Sequence, residues 1–176
     1  MGKYNQALND CILGVSVNIK RYGHELYVIL TKSLLTLIIS MMGGYEVKDT
    51  LHDIYIKVIE NAHKYKPNTN AIGWIITIAK HVMLDKKRQI SRRREVSFDE
   101  NTTPAYALDQ DILEVKEILD QLEPEERDLV HYRSFGYSYE EISKILGKSV
   151  SNIAYRMQNL RVKTVEIIKK YQKKRE

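Results

Sequence analysis

Residues 148–159, Lys-Ser-Val-Ser-Asn-Ile-Ala-Tyr-Arg-Met-Gln-Asn, carry side chains suited to reading a polyanion. If Val150, Ile153 and Met157 are the buried positions of a helix, then Ser151, Asn152, Tyr155, Arg156 and Asn159 face outward together. Arginine matches a guanine edge and asparagine an adenine edge, while Ser and Tyr hydroxyls suit phosphate oxygens. A second stretch, "WIITIAKHVMLDKKRQISRRR" at 74–94, passes from an apolar run to six basic residues within nine positions. Such a segment can lie on a membrane, dock into a partner's groove or follow a phosphate backbone.

Catalysis is poorly supported. The five histidines are scattered and no pair has zincin-type spacing. His81 and Asp85 stand one helical turn apart, but two ligands without a third make a weak metal site. No Gly-rich phosphate loop or serine elbow is present, and Asp49 and Asp53 read as a solvated or docking pair. The expectation is a non-enzyme with no catalytic residue, metal or cofactor.

Charge patterning favours nucleic acid. Residues 86–94 hold six basic groups and no acid, 95–128 hold twelve acids against Lys116 and Arg127, and 144–176 hold ten basic groups against Glu166 and Glu176. Two basic blocks around an acidic one imply two polyanion-binding surfaces. The chain has 176 residues with 43% apolar and 29% charged, a globular balance long enough for two small domains. The single cysteine, Cys11, excludes an internal disulfide framework and suits a reducing, cytoplasmic setting. No signal peptide is expected, because Asn9, Asp10 and Asn18 interrupt the first twenty residues. The stretch 26–42 is the one candidate for a membrane span; it is short and broken by Thr31, Lys32, Ser33, Thr36 and Ser40, so a buried core helix is expected and no membrane insertion.

The elements that must position these residues are helical, and no period-2 pattern is long enough to anchor a sheet. Over 47–65, Leu51, Ile54, Tyr55, Val58, Ile59 and Ala62 form one apolar face, with Asp49, His52, Asp53, Ile56 and Glu60 opposite. Pro67-Asn68-Thr69-Asn70 ends that helix and caps the next, whose buried face is Trp74, Ile75, Ile78, Ala79 and Val82. Residues 95–110 lack helical period and predict a flexible linker. Pro124 with Glu125 and Glu126 opens a helix. Ser138 and Glu141 predict a capping box, Ile142, Ile145 and Leu146 a buried face, Gly147 a helix stop, and Ser149 the cap of the following helix. Short helix, glycine turn and longer basic helix make a helix-turn-helix. The fold class is all-α: an N-terminal helical bundle at 1–94, the linker, and a helix-turn-helix domain at 111–176.

"GYSYEEISKILGKSVSNIAYRMQNLRVKTVEII" resembles the C-terminal DNA-binding region of bacterial RNA polymerase sigma factors, especially the extracytoplasmic-function (ECF) type of the sigma-70 family. Glu141, Ile142, Gly147, Ser149, Ile153 and Arg156 hold the corresponding places of its pattern. Upstream, "VKDTLHDIYIKVIENAHKYKP" is similar to the family's Asp-x-x-Gln-Glu-x-Phe helix, and "AIGWIITIAKHVMLDKKR" to its Trp-Leu-x-x-Ile-Ala-x-Asn-x-x-x-Asp-x-x-Arg helix. The likeness covers roughly 20–94 and 112–168. It implies a factor that directs RNA polymerase core to promoters and melts them. Lys148, Ser149, Ser151, Asn152, Tyr155, Arg156 and Asn159 would read duplex DNA at the minus-thirty-five element. The loop Lys66 to Asn70, with Asn68 and Thr69, would hold an unstacked base of the melted minus-ten strand, and Lys80, His81, Lys86, Lys87 and Arg88 its phosphates. Asp49, His52, Asp53, Ile56 and Glu60 fall where the family docks on polymerase. Ile56 supports this on its own, as an apolar side chain on a polar stripe.

Departures from the pattern are His52 for glutamine, His81 for asparagine, Ala154 at an often basic position and Asn159 at one often arginine. Two alternatives stay open: a helix-turn-helix regulator that does not melt promoters, and a polymerase-binding protein without DNA readout. Whether an anti-sigma factor holds the chain inactive is also open.

Overall fold

A computed structural model describes residues 3–43, 46–96 and 110–173. Among them the chain is helical throughout: α1 (Lys3–Val17), α2 (Ile19–Met42), α3 (Val47–Asn61) followed by a 3₁₀ turn (Ala62–Lys64), α4 (Ala71–Val96), α5 (Gln110–Asp120), α6 (Pro124–Ser134), α7 (Tyr139–Leu146) and α8 (Val150–Lys173).

Helix α2 is the hub. Leu26, Leu30, Leu34, Ile38 and Ile39 are at most 1% exposed, and the helix packs on α1, α3 and α4 on one side and on α5 and α6 on the other. Its length and composition would suffice to cross a membrane, but its apolar face is spent on these helices. Asn18 separates α1 from α2 and caps α2, its Oδ1 accepting the Arg21 amide at 3.2 Å. The two helices come so close that a Cβ on Gly14 would sit 2.4 Å from the Tyr22 ring. Glycine is required there for space.

Contacts between α2 and α6 are partly polar. Ser134 Oγ donates to the Ser33 carbonyl at 3.1 Å and lies 3.3 Å from Thr36 Oγ1. His131 Nδ1 lies 3.2 Å from the same threonine hydroxyl. The helix-turn-helix half is therefore docked on the N-terminal half through α2.

Four sequence expectations need correction. The periodic segment 47–65 is not one helix, because it tightens into the 3₁₀ turn after Asn61. Ile145, expected in the core, is 47% exposed; on a two-turn helix it falls 60° from the fully buried Ile142 and lies on the rim. Val150, also expected inside, is 39% exposed, because it stands at the open first position of α8 with α7 already ended. Of the expected linker, Glu95 and Val96 finish α4 and Gln110 begins α5; residues 97–109 lie outside the described residues.

Candidate nucleic-acid interface

The helix-turn-helix is assembled by local rules. Ser138 Oγ accepts the Glu141 amide at 3.2 Å and the Glu141 carboxylate accepts the Ser138 amide at 2.8 Å, closing a capping box that starts α7. Gly147 ends it at φ +63°, a left-handed conformation that side chains disfavour. Nothing lies within 4 Å of where its Cβ would be, so backbone conformation alone calls for glycine. Ser149 Oγ then accepts the Asn152 amide at 3.2 Å and caps α8. Ile142, Ile153, Met157 and Leu160 are buried between the helices.

This packing turns Ser151, Asn152, Tyr155 and Asn159 outward, Tyr155 with 65% of its surface exposed. Arg156 is only partly exposed. Its guanidinium lies 2.6 Å from Glu125 Oε2 at the start of α6, and Lys148 Nζ reaches the same oxygen at 3.4 Å. Those two hydrogen-bonded cations hold the Glu125 carboxyl below its usual range. Sequence reasoning saw Glu125 only as a first-turn acid of α6; its pairing across the fold left no local signal. Beside it, burial pushes Glu126 up, but bonds from Lys163 (2.6 Å) and the Glu123 amide (2.9 Å) outweigh that and keep it low. Val162 and Val165, 56% and 49% exposed, lie off the buried stripe of α8.

The second candidate surface is the loop 66–70 with the outer face of α4. Lys66, Asn68, Thr69 and Asn70 are all exposed. Asn70 Oδ1 accepts the Gly73 amide at 3.0 Å and starts α4, while Asn68 adopts φ +60°, which asparagine tolerates. At 100° per residue, Asn70, Thr77, Lys80, His81, Leu84, Lys87 and Arg88 share one side of α4. The last six are exposed, Leu84 at 44%. Arg88 lies 3.1 Å from Asp85 on the same helix.

Lys86 points elsewhere. It sits on the opposite side of α4, with its side chain 13% exposed, 2.9 Å from Asp53 and 3.7 Å from Glu46. The structure thus joins one residue of the expected DNA set to one of the expected polymerase set, and separates Lys86 from the other cations. Trp74 is half-buried with its ring 5.0 Å from that of Tyr65, packed against the core. The stripe on α3 is open to solvent: Asp49, His52, Asp53, Ile56 and Glu60 are all exposed, Ile56 at 39%, with Lys57 bridging to Glu60 at 2.8 Å. Among the described residues no three His, Cys, Asp or Glu side chains converge as a metal site would need.

Comparison with known proteins covers the segments that carry both surfaces. The model for sigma-70 region 2 matches residues 20–93, and that for sigma-70 region 4 matches 112–163. The chain is 31% identical over 124 residues to the ECF RNA polymerase sigma factor SigX of Bacillus subtilis (strain 168), covering 61% of this chain and 63% of SigX. It is 26% identical over 140 residues to EcfG of Rhodopseudomonas palustris (strain TIE-1), covering 74% and 76%, and 31% identical over 117 residues to CarQ of Myxococcus xanthus, covering 61% and 66%. The matched segment thus spans just under two thirds of SigX and CarQ. A solved structure, CnrH in complex with the cytosolic domain of CnrY, aligns with a TM-score of 0.49 at 17% identity, over 93% of this chain and 97% of that one.

Proposed function

Because the chain belongs to the sigma-70 family, with regions 2 and 4 in series, and to its ECF type by its relatives, we propose that it is a promoter-specificity subunit of RNA polymerase, acting in the cytoplasm. Chemistry stays with the polymerase core; this chain supplies recognition and strand capture. The carrying observation is that both family halves end in a surface of matching chemistry: a capped helix-turn-helix that exposes Ser151, Asn152, Tyr155 and Asn159, and a polar loop leading into a basic helix face.

In this reading α8 enters the major groove at the minus-thirty-five element by its N-terminal turns. Lys148 and Ser149 meet phosphates, and Asn152, Tyr155, Arg156 and Asn159 face the groove. Strand opening uses no motor. A base that leaves the stack costs a few kcal/mol, which capture must offset. Asn68, Thr69 and Asn70 offer hydrogen bonds to it. Lys80, His81, Lys87 and Arg88 run along about 12 Å of helix to hold the strand's phosphates. Lys86, paired with Asp53 and Glu46, takes no part in that strip; its bond to Asp53 ties the strand-holding helix to the stripe that docks on polymerase. An anti-sigma factor is a further candidate partner, for which no docking surface is assigned.

The test is run-off transcription with purified core polymerase on templates selected from random-sequence DNA. A promoter-dependent transcript is expected, with single-stranded minus-ten bases exposed to permanganate. Duplex binding without strand opening would instead identify a regulator that only reads DNA, and no DNA dependence at all would identify a polymerase-binding protein.

A further inference from the structure

Helix α1 precedes the segment matched by the region 2 model, which begins at residue 20, yet it holds the loop assigned to strand capture. Two of its side chains do so, and both are buried: Asn5 is 7% and Asn9 1% exposed. The Oδ1 of Asn9 accepts the Asn68 amide at 3.2 Å and the Tyr65 hydroxyl in a very short bond. Its Nδ2 donates to the Asn5 carbonyl at 2.8 Å. One turn earlier, Asn5 Oδ1 accepts the Ile72 amide at 3.3 Å while its Nδ2 donates to the Thr69 carbonyl, also at 3.3 Å.

Each amide therefore uses both its donor and its acceptor, and three of the four loop or helix-start groups they meet are main-chain groups at 68, 69 and 72. No side chain other than asparagine at these positions offers the same pair of groups at the same reach. The bonds fix the backbone on both sides of Asn68 and Thr69, including the left-handed turn at Asn68, and leave their side chains exposed. A polar group so buried is costly unless satisfied, which makes the loop geometry depend on these two residues.

We propose that Asn5 and Asn9 are positioning residues that set the shape of the 66–70 loop and thereby which unstacked base the loop accepts. They touch no DNA; they act through the main chain at Asn68 and Thr69. The proposal rests on the reading of this loop as the strand-capture site.

The experiment uses holoenzyme reconstituted from core polymerase and the full chain, with forked DNA derived from a duplex it selects, bearing each of the four bases in turn at each unpaired minus-ten position. Asn9→Ala, Asn5→Ala and Tyr65→Phe are compared with the parent chain. The expected result is a tenfold or greater loss for the preferred base with a much smaller loss for the others, so that base ranking flattens. Binding to duplex minus-thirty-five DNA should stay within twofold. Tyr65→Phe removes one hydroxyl and little volume, so it reports even where Asn9→Ala does not fold. Unchanged ranking in the folded variants, or an equal loss for all four bases, would overturn the proposal and leave the asparagines with a purely structural role. Failure of the parent holoenzyme to prefer forked over fully duplex DNA would instead overturn the strand-capture reading itself.

Discussion

Arg156 on α8 and Glu125 at the start of α6 are 2.6 Å apart, and Lys148 from the turn shares the same carboxylate oxygen. Two cations that would meet phosphate or base under the proposed role are thus held by an acid beside the exposed face of α8. A phosphate must compete with Glu125 for them. Glu125→Gln removes the competitor, so holoenzyme carrying it should bind random duplex several-fold more tightly. Its plot of log affinity against log salt should steepen by roughly one. Sequence discrimination should change little, since a gain independent of sequence is shared by specific and random duplex. An unchanged salt slope in filter binding would show that the pair plays no part in DNA contact.

Arg156→Ala separates reading from folding. If Arg156 meets a base edge, duplex affinity should drop by about 1–3 kcal/mol, with discrimination lost at one base position. The ion pair it leaves is exposed and screened, so thermal unfolding should hardly move. An equal loss at every sequence would reassign Arg156 to phosphate.

Much of this half was legible in the sequence because its signals are local. Ser138 and Glu141, Gly147 and Ser149 act within four residues of themselves, and each takes the role its type and spacing dictate. Ile145 and Val150 lie outside the core that their spacing predicts, because period alone does not say where a short helix meets the surface. Glu125 with Arg156, Lys86 with Asp53, and Asn9 with Asn68 could not be read at all, since each pair is set by how helices distant in sequence pack. Asn9 counted only as an interruption of an apolar run, while its fold context makes it the anchor of a loop 59 residues away.

Gly147→Ala tests whether conformation or space dictates the turn. With φ at +63° and nothing within 4 Å of the added Cβ, the cost is confined to the backbone. Urea unfolding should show a loss of about 1–2 kcal/mol, smaller for Gly147→Asn. A loss well above that range would mean that the added side chain meets an obstacle.

Cys11 should be inert while the chain is folded. It is 3% exposed, and burial, reinforced by Glu25 and Asp10, raises its thiol to about 11. At pH 8 roughly one thiol in a thousand is then ionised, against about a quarter for an ordinary cysteine. Reaction with a disulfide reagent should be slow in buffer and fast in denaturant. Rapid labelling of the native chain would place α1 away from the core far more often than its packing allows, and would weaken the case for Asn9 as an anchor.

His131 makes the docking of the two halves sensitive to acid. Its ring sits against Thr36 of α2, and burial lowers its pKa, with Asp128 raising it and Arg127 lowering it in smaller measure. The docked state therefore prefers the neutral ring, whereas an undocked histidine takes up a proton near its ordinary value of about 6.5. Docking is fully favoured above that value and weakens as pH falls through it toward the lowered pKa of the docked ring. Separation has a functional meaning under the proposed role. Elements centred 25 base pairs apart lie about 85 Å apart along duplex DNA, while a compact chain of this length has a radius of gyration of about 16 Å. The α2–α6 contact must open for one molecule to reach both. Spin labels at the exposed positions Lys32 and Glu166 should report a longer mean distance at pH 5.5 than at pH 7.5. His131→Leu should abolish that response. A distance distribution independent of pH would remove His131 as the control point.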